Sequence, residues 1–65
     1  MTTKLYRLSI TTGSDEDGKH IISDCVFGKD IYLASFYDYN EVTEYLDTNF
    51  MLIGKGRNYN YYVER

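Results

Sequence analysis

Asp38-Tyr39-Asn40-Glu41-Val42-Thr43-Glu44-Tyr45-Leu46-Asp47-Thr48-Asn49 is the one stretch of this chain with a helical period, and its reading decides the fold class. Tyr39, Val42, Leu46 and Tyr45 recur at three- and four-residue intervals, whereas Glu41, Thr43, Glu44 and Asp47 fall on the opposite side, as in a helix with one buried stripe. Asp38 and Glu41 stand in the Asp-x-x-Glu order of a capping box, in which each side chain satisfies a free amide of the first turn, so the helix starts there. Asp47-Thr48-Asn49 favours its end, because these side chains compete for backbone hydrogen bonds. A helix of about ten residues is marginal alone and must be held by packing.

The flanking segments supply a sheet to pack it on. Lys4 to Thr12 alternates, with Tyr6, Leu8 and Ile10 on the expected core face and Leu5, Arg7 and Ser9 on the other. Gly13-Ser14-Asp15-Glu16-Asp17-Gly18-Lys19 lacks any apolar group and reads as a solvated turn. A second strand fits His20 to Phe27, with Ile22 and Val26 inward, followed by a turn at Gly28-Lys29-Asp30. Ile31-Tyr32-Leu33-Ala34 is a candidate third strand with poor alternation.

After the helix, Phe50-Met51-Leu52-Ile53, then Gly54-Lys55-Gly56-Arg57-Asn58, then Tyr59 to Glu64 reads as a hairpin whose glycines and asparagine supply positive backbone angles. In its last strand Tyr59, Tyr61 and Val63 share one face and Asn60, Tyr62 and Glu64 the other. The predicted class is α+β: a single domain of order β-β-(β)-α-β-β, with one helix on one face of a small antiparallel sheet of four or five strands.

Size bounds what such a fold can do. The chain has 65 residues, and a domain of this size buries only about 60% of the surface its unfolded chain exposes, so it builds one thin core. Hydrophobic residues make up 43% of it, but eight are tyrosines, whose hydroxyls need water or a partner and so favour the boundary of the core. The single Cys25 cannot form an internal disulfide, and with the single His20 it falls short of a four-ligand zinc site. No metal or cofactor is expected; self-association as a homodimer is the expected remedy for so small a core. A single cysteine, no secretory-type start and no long apolar run make a cytoplasmic setting without membrane contact the expectation.

Catalytic constellations are weak. His20 and Cys25 are five residues apart on one strand, which puts them on opposite faces and argues against a Cys–His pair. Asp15-Glu16-Asp17-Gly18 lacks the ligand spacing and flanking helices of a calcium loop. Asp38, Glu41 and Glu44 lie on a convex helical face, where neither burial nor substrate volume is available to tune an acid or base. An enzyme is therefore not expected, and no residue is assigned a catalytic role.

Two surface features remain. Asp38, Glu41, Glu44 and Asp47 recur every three residues, and with a net charge of −3 this favours a protein partner with a basic surface over a polyanion. A carboxylate row on a rigid scaffold imitates duplex phosphates and suits the basic groove of a nucleic-acid-processing protein, with Tyr59, Tyr61 and Tyr62 as apolar anchors. In size, acidity and tyrosine content the chain resembles some phage-encoded inhibitor proteins, DNA mimics and anti-CRISPR proteins among them; no motif carries the likeness, so it transfers no residue role. The alternative is a single-stranded nucleic-acid binder in which Lys55 and Arg57 track the backbone and the same tyrosines stack on bases.

Overall fold

A computed structural model describes residues 4–13 and 18–65. The alternating segments form β1 (Leu5–Thr12), β2 (His20–Val26) and β3 (Lys29–Phe36); α1 (Tyr39–Asn49) follows, then β4 (Phe50–Lys55) and β5 (Asn60–Glu64). All neighbours pair antiparallel in one five-stranded sheet of order β3-β2-β1-β5-β4. The first three strands make a meander, α1 carries the chain across the sheet, and β5 returns to pair with β1.

The third strand is longer than its apolar run suggests, reaching from Lys29 to Phe36. Its poor alternation has a physical cause: the pairing with β2 shifts between Ile22 and Ser23, where Leu33 is the extra residue and packs against the core. The turn before it is also displaced from expectation. Val26 pairs with Lys29, so the connection is the two residues Phe27 and Gly28, both at positive φ, 52° and 77°. A two-residue loop with both angles positive matches the strand twist, but asparagine and glycine are the residues that favour it. Phenylalanine at such a position is unusual, and this one is 97% exposed.

Helix α1 begins where the capping residues place it, with Asp38 in extended geometry and its Oδ1 accepting from the Asn40 amide at 2.9 Å. Its end runs into β4 with no loop: Phe50 is extended and donates its amide to the Leu46 carbonyl. Arg65 adds a cation there, donating through Nε to the Asp47 carbonyl and through its amide to that of Asn49.

Leu8, Ile22, Val42, Leu46 and Phe50 form the buried core between α1 and the sheet. Phe50 is its aromatic centre, with Tyr6, Tyr45 and Tyr62 rings at 4.9, 6.0 and 6.1 Å between centroids. Two residues expected inside are not: Ile10 is 36% and Tyr39 53% exposed, because α1 lies over Leu8 and Ile22 and leaves the Ile10 end of β1 uncovered. None of the eight tyrosines is buried, in keeping with their need for water or a partner. Tyr6 illustrates this, donating its hydroxyl to Glu64 Oε1 at 3.1 Å; partial desolvation, then this hydrogen bond to a carboxylate, raises its phenol above the ordinary 10.0.

The core also holds one carboxylate. Asp24 pairs across from Leu8 and so shares the helix-covered face, 3% exposed. Its Oδ1 accepts from the Arg7 amide at 3.0 Å, and Lys4 Nζ lies 3.8 Å from Oδ2 and 4.5 Å from the Tyr6 ring centroid. A buried charge is tolerable when it is paired and hydrogen-bonded in this way.

Candidate functional site

The acidic residues of the helix are where their spacing predicts, but they do not form a straight row. A step of three residues falls about 60° short of a full turn, so Glu41, Glu44 and Asp47 wind obliquely over the outer surface of α1. Glu41 and Glu44 border a hollow on the β3 flank, beside Phe36 and Thr48, whereas Asp47 borders one on the β4 flank. Asp38 stands apart at the cap, occupied with the Asn40 amide. All four are exposed, and among the described residues none lies in an ion pair.

Strand register divides the tyrosines. Tyr61 lies across from Arg7 and Tyr62 across from Tyr6, so Tyr59 and Tyr61 share the sheet face that α1 leaves open while Tyr62 lies under the helix. Tyr59 and Tyr61 meet edge-to-face at 5.8 Å. Tyr62 packs against the core and keeps only part of its ring accessible. The acidic helix and the Tyr59–Tyr61 pair therefore look outward on opposite sides of the sheet. A surface combining the helix carboxylates with a tyrosine of the last strand can include Tyr62 but not the other two.

Lys55 and Arg57 are exposed at the β4–β5 connection. This connection closes by a hydrogen bond from the Gly56 amide to the Tyr59 carbonyl at 2.9 Å. Neither Gly54 nor Gly56 has the positive φ expected of them. Gly56 is required for another reason: a Cβ there would sit 2.5 Å from the Tyr59 carbonyl oxygen and 3.3 Å from the Tyr61 ring. On the open face Arg7 lies across from Tyr61, whereas Lys55 pairs with Asn60 on the helix-covered side and Arg57 borders a hollow there with Ile10 and Tyr62.

His20 and Cys25 are on opposite faces, as their odd separation requires. His20 pairs with Thr12, its Nδ1 3.0 Å from Thr12 Oγ1 and its ring 5.3 Å from that of Tyr39, whereas Cys25 pairs with Asp30 on the open face. Asp15, Glu16 and Asp17 lie outside the described residues. Among the described residues there is no cluster of three His, Cys, Asp or Glu side chains able to hold a metal ion, and no helix is long and apolar enough to cross a membrane.

Two features were not singled out from the residues. Asp24 carries a legible signal, since alternation sets it between the inward Ile22 and Val26. The other is a hollow of about 420 Å³ between α1 and the β4–β5 hairpin, bordered by Ile10, Tyr39, Leu46, Leu52 and Tyr62. Alternation does not encode it, because it depends on how α1 lies over the hairpin. Comparison with protein-family models, with curated proteins and with solved structures finds no match to this chain.

Proposed function

We propose that this protein is a small acidic protein-binding module that docks the outer face of α1 onto a basic surface of a nucleic-acid-processing protein, as a DNA mimic or inhibitor of the anti-CRISPR type does. The observation that supports this reading is the set of Glu41, Glu44 and Asp47, exposed on a packed helix and unneutralised by any lysine or arginine among the described residues. Charges carried on a packed helix lose little backbone freedom to a partner and steer its approach. Tyr62 and Leu52, half-exposed beside the Asp47 flank, offer apolar area next to them.

The test is capture of a partner from the native host by the immobilised protein, followed by competition with duplex DNA. Double reversal, Glu41→Lys with Glu44→Lys, should abolish capture, and duplex DNA should displace the wild-type partner. Undiminished capture by the double variant would rule out the acidic face.

A second reading draws on the open face, where Arg7, Tyr61 and Tyr59 adjoin and Lys55 and Arg57 lie at the nearby hairpin end. Cations beside aromatic platforms suit single-stranded nucleic acid. In that case Lys55→Glu with Arg57→Glu lowers affinity for a labelled oligonucleotide; wild-type protein with no measurable affinity excludes it.

A further inference from the structure

We infer that the notch between the free edge of β1 and the end of the β4–β5 hairpin binds the extended carboxyl terminus of a partner protein, with its last side chain in the hollow beside α1 and its terminal carboxylate on Arg57. The notch follows from unequal strand lengths. Pairing of β1 with β5 stops at Leu8 and Asn60, yet β1 continues to Thr12. The Gly13 amide donates to the Lys19 carbonyl at 2.8 Å, and the Arg7 amide turns the same way to reach Asp24 Oδ1. Backbone groups alternate in direction along an antiparallel strand, so Ile10 and Thr12 aim theirs to the other side, where β5 has ended. Among the described residues no backbone group pairs with them there. Their N–H groups and carbonyls form a template for strand addition.

Three observations favour a peptide end over other occupants. The outward amides and carbonyls of Ile10 and Thr12 are complemented by another polypeptide backbone, a pattern that neither a lipid nor a nucleic acid strand supplies. The place beside Leu8 is already taken by Asn60, so a segment running antiparallel to β1 must end opposite Ile10, which sets its carboxylate at the hairpin end. A hollow of about 210 Å³ lies there, bordered by Leu8, Ile10, Leu46, Tyr62, Arg57 and Asn58, and no carboxylate among the described residues borders it. Lys55 is turned to the same side by its pairing with Asn60. These cations attract a terminal carboxylate and repel the ammonium that a parallel segment would bring. A residue directly opposite Ile10 shares its face of the sheet, so the last side chain enters the hollow, where an aliphatic one fits the apolar floor. Asp47 borders only the wider hollow that continues from this one, beside Arg65. The site lies on the flank of α1 away from Glu41 and Glu44, so it stands or falls separately from the proposed partner surface.

A random peptide library displayed with free carboxyl termini, selected against the immobilised full chain, tests this. Selection should enrich an aliphatic last residue. Resynthesised with a terminal amide, a selected peptide should lose affinity about tenfold or more, and Arg57→Glu should weaken the free acid by a similar factor, with unchanged circular dichroism showing that the fold survives. Thr12→Pro removes one outward N–H without removing a bond to β2, and it should weaken binding where Thr12→Val does not. The double variant Glu41→Lys with Glu44→Lys should bind the peptide as wild type does. In amide NMR spectra the peptide should shift the Ile10 and Thr12 signals and leave that of Phe27 unmoved. Failure of free-carboxyl peptides to enrich overturns the inference. So does equal affinity for acid and amide, binding by Arg57→Glu equal to wild type, or a shift of the Ile10 signal by a labelled oligonucleotide where no free-carboxyl peptide produces one.

Discussion

The helix-covered face of the sheet has two unlike halves. Over β1 and β2, α1 seals Leu8 and Ile22 against Val42, Leu46 and Phe50, with Ile22 and Val42 entirely out of solvent. Towards the β4–β5 hairpin and the Ile10 end of β1 the same face keeps Ile10 and Leu52 in contact with water and holds an open hollow. Both halves are apolar in sequence. The difference arises from where an eleven-residue helix can reach, and it means that stability is concentrated in one half while the other is free to make contacts.

This contrast is open to direct attack. Ile22→Ala should have the largest effect, about 2–5 kcal/mol, because it leaves a cavity in a site with no room to relax. That approaches the whole stability of about 3–5 kcal/mol available to a core of this size, so thermal melts should show a largely unfolded variant. Asp24→Ala should cost about 1–3 kcal/mol by leaving the Arg7 amide without its acceptor, and Asp24→Asn less, since its amide oxygen can still accept; urea titration separates them.

Tyr6 gives the alkaline side of the same half. Its phenol titrates above 10.0 when folded, so the folded state holds this proton more tightly than the unfolded chain. The contribution is complete below pH 10 and is lost as pH rises through the folded value. Tyr6→Phe should remove that part of the alkaline loss in a series of melts above pH 10. Leu52→Ala, measured on dilute protein, should have the smallest effect, within about 0.5 kcal/mol, as for surface substitutions generally. A cost equal to that of Ile22→Ala would abolish the distinction between the halves.

Elements with a strict period were legible from the residues alone. Leu5–Thr12 alternates, Tyr39–Asn49 carries a cap and a stripe, and both form as read. What was not legible depends on relations between elements. Phe50 sits in an unbroken apolar run where no period distinguishes it from Met51, and it becomes the core residue because the helix delivers it under Tyr45. The Phe27-Gly28 turn escaped because its first residue is not one that favours a positive φ. For the site, spacing locates the carboxylates and alternation separates Tyr62 from Tyr59 and Tyr61. Only the register says which of those faces the helix covers.

The oblique line of Glu41, Glu44 and Asp47 sets a shape requirement on whatever meets it. From first to last it climbs about 9 Å while sweeping roughly a third of the way round the helix barrel. A flat cationic plane can touch two of these side chains together. Only a trough curved to the radius of the helix engages all three, so the curvature of the opposing molecule would govern how many of the contacts form.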